Sequence, residues 1–452
     1  ENLTEVSLKE ALQVAPVEGG KMQTVLEASQ LAKTRWFRFS SFILSHKWPI
    51  CLLLLGTCSW PLARLPHMEL SRSPMYCVPL GNEAFLGFSQ ALEHFGAGLL
   101  WPTKVLVLAH PGTSILASDS FDRVAASVEN VRRKLPESPG MTVQSLVYYN
   151  DSRVPASLVE TAKFACAGGA AWASAKLVYG DQLDLLCMAR RELVNEDESA
   201  MVINLELKGD PWAREGGDWL LALRTAFPQH DPERYFIVSN PSSVLDTMSN
   251  IYSSAPQVLL VTVVTVFGVV AWSFKSVVVP LRLLPSMALT ICWTYGMAVV
   301  VYQDGLLAWM GISSLAPPSG GLAEGVAWVL PALCFTILTG LCLDYDIFVL
   351  SRVEEFRLAG FSDHDSVVLG VSSTGQTITV AGCIMLTAFS GLLLSKQLML
   401  NQLSFFLIFC VLLDTFVVRT ILVPICMDVL GSCSNWWPRK MPAVTEDVIT
   451  KR

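Results

Sequence analysis

The chain has 452 residues and a net charge of −7, and its composition is 52% hydrophobic but only 16% charged. Soluble domains typically contain about 25% charged residues. This composition excludes a disordered chain, a basic nucleic-acid-binding protein and a small disulfide-rich scaffold. It favours an integral membrane protein with one sizeable soluble part.

Long uncharged runs predict six membrane-spanning helices, because a helix needs about 20 apolar residues to cross a bilayer. The predicted spans cover residues 41–64, 255–274, 280–302, 325–350, 374–395 and 402–429. A segment over 65–252 separates the first span from the other five, and shorter segments over 1–40 and 431–452 flank the whole. The uncharged stretch 305–323 contains paired Pro and Gly, and we expect an exposed or re-entrant loop there.

The distribution of Lys and Arg predicts the orientation of these spans. Both residue types are concentrated before the first span, after the second and fourth spans, and in the tail. The positive-inside rule then places both termini in the cytoplasm and residues 65–252 outside the cell or in a lumen. On that side Asn150 begins a possible glycosylation triplet, although such triplets are common by chance. No signal peptide opens the chain, which starts with Glu1, so we expect a fragment or a processed product.

The segment 65–252 is long enough to have its own core and has the pattern of an α+β domain. Strands are predicted at 104–109, 141–149, 200–207 and 235–239, and helices at 120–135 and 212–227. This order is β-α-β followed by β-α-β. The three cysteines of the segment, Cys77, Cys166 and Cys187, allow at most one disulfide.

An enzymatic site is not apparent in the sequence. Six His residues are scattered without metal-ligand spacing. The run Gly19-Gly20-Lys21-Met22 lacks the first Gly and the Ser or Thr of a P-loop. We therefore expect no metal, no other cofactor and no enzymatic activity.

Asp344 is the most informative residue, because an ionisable side chain within a span is costly and marks a functional site by default. It lies eight residues before Arg352, which places it about 12 Å deeper along a helix. A carboxylic acid at that depth can exchange protons, and the adjacent Tyr345 can donate a hydrogen bond to a partner or a water chain. The alternative is an interfacial Asp paired with Lys or Arg. The next carboxylate, Asp346, is expected to face elsewhere.

Asp414 and Arg419 lie in the last predicted span. Their spacing of five residues puts them roughly 140° apart around an α-helix, so we expect each to meet a neighbouring helix rather than the other. A structural ion pair that holds the bundle together is equally compatible with the sequence. A polar row opens the fifth span and either bonds between helices or lines a proton path: Ser372, Ser373, Thr374, Gln376 and Thr377.

Several motifs together resemble the resistance–nodulation–division (RND) transporters, and within them the MmpL branch. The run GLCLDYDIFVLSRVEEFR (Gly340–Arg357) is similar to the family signature in the fourth span of each half. Phe274-Lys275-Ser276 with Pro280 is similar to the turn after the second span, and His94–Leu108 to the start of the porter domain. The last-span charges followed by Trp436-Trp437-Pro438 resemble the end of the C-terminal half.

The resemblance implies a six-helix RND-type bundle with one extracytoplasmic α+β porter domain between helices 1 and 2. It also implies proton-driven export of lipids or other hydrophobic molecules, with Asp344 and Tyr345 as the proton-relay pair of the second half and Asp414 and Arg419 as supporting charges. A complete transporter of this family has two halves. We therefore expect a second half as partner, either upstream in the same chain or in another subunit. The alternative function is a sterol- or lipid-sensing receptor with this fold that does not pump.

Overall fold

The computed structural model describes residues 27–135, 141–149, 152–166, 169–227, 233–312, 315–316, 325–430 and 436–444. The chain divides into two compact units. We call Ser71–Ser253 the α/β unit, and the described parts of Glu1–Leu70 and Ser254–Arg452 the membrane unit. Asn150, with its possible glycosylation triplet, lies outside the described residues, as do Pro317, Pro318, Gly320 and Gly321 of the predicted loop.

The membrane unit begins with two helices, α1 (Arg35–Ser45) and α2 (Lys47–Arg64). The first turn of α1 is capped by Thr34, whose hydroxyl accepts a hydrogen bond from the backbone N–H of Phe37. The predicted first span, 41–64, crosses the junction of the two helices. The chain leaves helical geometry at His46, and the membrane-length helix starts only at Lys47. A short strand, β1 (Leu70–Ser71), follows.

The α/β unit contains a four-stranded sheet and helices that pack on it. Its elements in chain order are α3 (Glu83–Phe95), α4 (Ala97–Leu100), β2 (Thr103–Leu108), α5 (Ser118–Lys134), β3 (Met141–Gln144), β4 (Tyr148–Tyr149), β5 (Ser152–Arg153), α6 (Ala156–Ala165), α7 (Gly169–Tyr179), α8 (Asp181–Leu193), β6 (Ala200–Leu207), α9 (Arg214–Ala226) and β7 (Arg234–Val238).

The sheet has the strand order β3-β6-β2-β7, and every neighbouring pair is antiparallel. This is a split β-α-β arrangement, because β6 lies between β2 and β3 although α5 connects those two strands in the chain. Alternate residues of β2 and β6 are buried, and they pack against the apolar faces of α5 and α9 to form the core of this unit. The predicted strand 141–149 is two strands, because the chain turns at Ser145, whose hydroxyl accepts hydrogen bonds from Val147 N and Tyr148 N.

One disulfide, Cys166–Cys187, joins the segment after α6 to α8. It is consistent with the predicted limit of one disulfide, and Cys77, which is exposed, is not part of it.

The rest of the membrane unit follows from α10 (Asn240–Phe274), whose first residues belong to the α/β unit. The remaining elements are α11 (Val278–Tyr302), β8 (Val326–Ala327), α12 (Val329–Leu358), α13 (Asp363–Leu393), α14 (Leu398–Leu413), a π-helix (Asp414–Leu422) and α15 (Val423–Leu430). A hydroxyl cap sets the start of α13, since Ser362 accepts a hydrogen bond from Asp365 N.

Six helical segments among the described residues are long and apolar enough to cross a membrane, which confirms the predicted number. They are Lys47–His67, Asn240–Phe274, Val278–Tyr302, Val329–Leu358, Asp363–Leu393 and Leu398–Val429. Their ends differ from the predicted ones mainly where a helix continues into polar sequence, as α10 and α13 do by more than ten residues. Residues 325–327 were predicted as helix, but Gly325 has a φ of 87° and β8 follows it.

Candidate functional site

The last membrane-spanning segment changes its helical geometry where its charges lie. Residues Asp414–Leu422 form a π-helix, in which residues five apart lie on the same face of the helix. Asp414 and Arg419 therefore form an ion pair with each other. The prediction that they would not pair is wrong because it assumed the 3.6-residue turn of an α-helix.

Arg419 is the centre of a buried ionic cluster, which we define as Asp346, Asp414 and Arg419. The Arg419 side chain is 1% exposed, and its Nε lies 3.5 Å from Asp346 Oδ1 on α12. Its Nη2 donates a hydrogen bond of 3.2 Å to the carbonyl oxygen of Cys342, also on α12. One guanidinium thus links the π-helix to α12 by charge and by a hydrogen bond.

Both carboxylates of the ionic cluster are almost fully enclosed, with side-chain exposures of 3%. Asp346 Oδ1, Asp414 Oδ1 and Arg419 Nη1 have no hydrogen-bond partner among the residues that the structure describes. Unsatisfied polar atoms at a buried site require an explanation, such as a bound proton or a water molecule. Arg282 on α11 is an electrostatic neighbour of Asp346, and its charge formally balances the second carboxylate.

The predicted relay pair, Asp344 and Tyr345, is divided between two sides of α12. Tyr345 lies at the ionic cluster, since the guanidinium carbon of Arg419 is 4.2 Å from the centre of its ring. Its hydroxyl donates a hydrogen bond of 3.5 Å to Met385 Sδ on α13. Asp344 is exposed on the surface of the membrane unit, and it forms no ion pair with the residues that the structure describes.

Asp344 belongs to a stripe of exposed residues along one face of α12. The stripe consists of Leu333, Ile337, Gly340, Asp344 and Phe348, whose spacing of three or four residues keeps them on one side of the helix. The three apolar side chains are about 40% exposed: 43%, 39% and 40% for Leu333, Ile337 and Phe348. We call this surface the Asp344 stripe.

Asp346 was not predicted as a site residue, although the sequence contains a signal for it. The buried residues of α12 include Leu338, Cys342, Asp346, Val349 and Val353. Their spacing of three or four residues continues one stripe through Asp346. The expectation that Asp346 faces away from the site is therefore wrong, because the enclosed side of α12 is the side that carries Asp346.

The polar row at the start of the fifth span has a local role where the structure shows its bonds. The hydroxyls of Ser372, Ser373 and Thr374 all donate to carbonyl oxygens of their own helix, α13. Their hydrogen-bonding capacity is thus satisfied within the helix. The row neither joins two helices through these three hydroxyls nor presents them to the ionic cluster.

Comparison with known proteins gives one family match and several similar transport proteins. The model of the MMPL family matches residues 169–447. The trehalose monomycolate exporter MmpL3 of Mycolicibacterium smegmatis is 30% identical over 257 residues, which are 56% of this chain and 24% of the exporter. The mycolic acid-containing lipids exporter MmpL11 of the same organism is 24% identical over 432 residues, which are 93% of this chain and 38% of that protein.

A third relative is named for a different role. The heme uptake protein MmpL11 of Mycobacterium tuberculosis is 23% identical over 414 residues, which are 91% of this chain and 37% of that protein. The chain thus spans between about a quarter and two fifths of the length of these curated relatives.

Proposed function

Because the chain belongs to the MMPL family, whose relatives above are named as exporters or an uptake protein rather than as enzymes, we propose that it is one half of a proton-driven transporter. The substrate is a lipid or another hydrophobic molecule, and the direction is export. Both termini lie in the cytoplasm, and the α/β unit serves as the extracytoplasmic porter domain.

The ionic cluster is the observation that carries this proposal. Charges enclosed within membrane-spanning helices are costly, so their presence favours a functional role over chance. Asp346 and Asp414 compete for the single guanidinium of Arg419, which pairs closely with Asp414 and stands 3.5 Å from Asp346. A proton on Asp414 removes that carboxylate's charge and releases Arg419 towards Asp346. The exchange changes the contact between the π-helix and α12, which is the two-state element that such a cycle requires.

The Asp344 stripe supports the proposal that a second half covers this chain. A carboxylate that faces hydrocarbon costs several kcal/mol, so Asp344 needs a protein surface or a water-filled path beside it. Gly340, one turn before Asp344, has open space around the position of a Cβ, which allows another helix to approach closely. In the assembled transporter Asp344 and Tyr345 then form one of two relay pairs.

The substrate class rests on the relatives alone. Two of them are named as exporters of mycolic-acid lipids, whereas a third with nearly the same identity is named for heme uptake. These cargoes share a large apolar part, which is the chemical property that we carry over to this chain.

The test uses the chain purified from its native membrane, together with any half that accompanies it, and reconstituted in vesicles that enclose a pH-sensitive dye. An imposed pH gradient is expected to drive proton flux that depends on the protein. Asp344→Asn and Asp346→Asn are expected to abolish this flux without changing insertion. Glu355→Gln is the matched control, since Glu355 lies on the same helix in an exposed ion pair with Arg352.

The outcomes separate the proposal from the receptor alternative. Flux that persists in Asp346→Asn would exclude the ionic cluster as the proton site. Saturable binding of a fluorescent lipid that is unaffected by the pH gradient, with no protein-dependent flux, would instead identify a lipid-sensing protein. An antibody to the tail 443–452 also reports the mass of the native polypeptide, and a mass about twice that of this chain would place the second half in the same polypeptide.

A further inference from the structure

The membrane unit contains an apolar cavity that is lined in part by the same π-helix that carries Asp414 and Arg419. Its volume is about 200 Å³. Three elements surround it: α2, α11 and the π-helix. The lining residues are Cys51, Leu54, Leu55, Cys58, Leu289, Trp293, Val417, Val418 and Leu422.

The packing of α2 explains why the cavity exists. At one end α2 approaches α11 so closely that a Cβ at Gly296 would overlap the carbonyl oxygen of Pro61. At the other end Lys47 forms an ion pair of 2.8 Å with Asp428 of α15. Between these two contacts α2 presents the short side chains of Cys51 and Cys58, which leave the space unfilled.

The lining determines which ligand the cavity can hold. Stable water in a buried site needs two to four polar partners. The side chains here offer hydrocarbon, two weakly bonding thiols and a single stronger donor, the indole N–H of Trp293. Dry cavities of about 150 Å³ in other proteins bind small apolar molecules. The neighbouring surface of α2 is hydrocarbon-facing within a predicted span, since Leu52, Leu53 and Leu55 are 64–70% exposed.

We propose that this cavity binds a segment of an acyl chain from a phospholipid of the surrounding bilayer. The volume suits a short length of one chain, and the headgroup stays at the membrane surface. The bound segment contacts Val417, Val418 and Leu422 of the π-helix, whereas Asp414 and Arg419 of the same helix face the ionic cluster. Filling the cavity adds dispersion contacts on that side and so supports the π-helical turn that pairs the two charges.

Photo-crosslinking tests this inference without relying on transport. The full chain is placed in nanodiscs of phosphatidylcholine with a diazirine on one acyl chain, irradiated, digested and mapped by mass spectrometry. Adducts are expected to be enriched on Cys51, Cys58, Val417, Val418 and Leu422 of the lining relative to exposed lipid-facing positions such as Leu260, which is 64% exposed. Leu289→Trp fills the cavity and is expected to remove this enrichment.

Leu281→Trp is the matched control, because Leu281 lies on the same helix, is 61% exposed and does not line the cavity. It is expected to leave the enrichment unchanged. Cys58→Leu adds less volume and serves as the second variant if Leu289→Trp does not fold. Adducts that are no more frequent at the cavity than at Leu260, or that persist in both filled variants, would overturn the proposal. Since the readout is binding alone, a failure of proton flux would leave this result unaffected.

Discussion

Arg419 is almost fully enclosed in the membrane unit, and its guanidinium contacts two carboxylates, a backbone carbonyl and an aromatic ring. Removing one partner of a buried ionic group is far more damaging than replacing the whole group by neutral side chains. The arrangement therefore predicts that a single substitution lowers the free energy of unfolding much more than a combined substitution that removes both charges of the pair.

Arg419→Met is expected to lower the free energy of unfolding by about 3–5 kcal/mol, because it removes the cation that pairs with the enclosed Asp414 and leaves Asp346 with Arg282 alone as its positive neighbour. Arg419→Met combined with Asp414→Asn leaves Asp346 balanced by Arg282, and the double variant is expected to restore stability to within about 1 kcal/mol but to carry no proton flux. Unfolding in detergent and flux in vesicles measure the two effects. Arg352→Met is the control, since its ion pair with Glu355 is 39% and 48% exposed and is expected to contribute below about 1 kcal/mol. Equal stability of the single and double variants would contradict the proposal that Arg419 neutralises Asp414 in the ionic cluster.

Glu233 provides a pH-dependent contribution outside the membrane spans. Burial alone would raise the pKa of this carboxyl, but hydrogen bonds from Arg123, at 2.7 and 3.1 Å, and the charge of Arg123 more than offset the burial and hold the pKa below its ordinary value. A pKa that is lowered on folding stabilises the protein above the ordinary value, and the stabilisation is lost as the pH falls through the folded pKa.

The midpoint of thermal unfolding of the α/β unit is therefore expected to fall as the pH drops below about 4.5, the ordinary value for Glu. Glu233→Gln is expected to lower the midpoint at neutral pH and to make it less sensitive to acid. Asp184→Asn is the matched control, because Lys176 lowers the pKa of Asp184 in an ion pair that is 37% and 45% exposed. The same acid sensitivity in the Glu233→Gln variant and in the unmodified chain would refute this role.

Charged residues within the spans can be identified from the sequence because they interrupt apolar runs. Asp344, Asp414 and Arg419 are recognisable in this way. Which charges meet could not be derived in the same way. Asp344 and Asp346 are two residues apart, yet one lies on an exposed stripe and the other beside Arg419. That difference depends on which face of α12 the other helices cover, and overall hydropathy does not report it.

At the scale of elements, predictability depends on the kind of pattern. The bounds of β6 agree with the predicted strand 200–207, because the strict alternation of its residues, buried and half-buried in the structure, has one register. The starts of α10 and α13 were missed, since their first turns are polar and a search for apolar runs stops before them. The π-helix could not be predicted, because no simple periodicity in the sequence indicates a turn with one extra residue.

Deletion of Phe416 tests the function of the π-helix. The deletion leaves Asp414 and Arg419 four residues apart, the spacing at which an ordinary α-helix aligns them. We expect the span to insert and to remain folded, whereas the contacts of Arg419 with α12 are displaced and proton flux is lost. Deletion of Leu412 is the control, because it removes one residue from the regular α14 and rotates the following residues by about 100°.

The Leu412 deletion is expected to lower expression and stability, unlike the Phe416 deletion. Comparable damage to folding in both variants would show that the π-helix is only a packing feature. Full flux in the Phe416 deletion would show that the wide turn is not needed for the proton cycle.

At the scale of the whole molecule, the first residues of the described tail pack into the membrane unit and bond to it. Trp436 is 2% exposed within the apolar core of this unit, and the carbonyl oxygen of Trp437 accepts hydrogen bonds from Ser276 Oγ and Val277 N. Arg439 forms an ion pair with Glu354 of α12. The tail therefore joins α12, which carries Asp344 and Asp346, to the turn between α10 and α11.

Trp436→Ala is expected to lower the free energy of unfolding by about 3–5 kcal/mol, because a large enclosed side chain is removed from a packed core. Trp437→Ala is the matched control, since its side chain is 60% exposed and its backbone hydrogen bonds remain; we expect a change of about 0.5 kcal/mol or less. Unfolding in detergent compares the two. Similar losses in both variants would indicate that the tail acts through its backbone alone.

The Asp344 stripe also bears on how the chain is made. A newly inserted span that exposes a carboxylate to lipid is energetically unfavourable in the bilayer. Cells continuously degrade such incompletely assembled chains. On the proposed assembly, the covering half then acts as a chaperone for this one during biosynthesis. On the proposed assembly, and where the covering half is a separate subunit, we expect the amount of this chain in the membrane to follow the supply of that subunit rather than its own rate of synthesis.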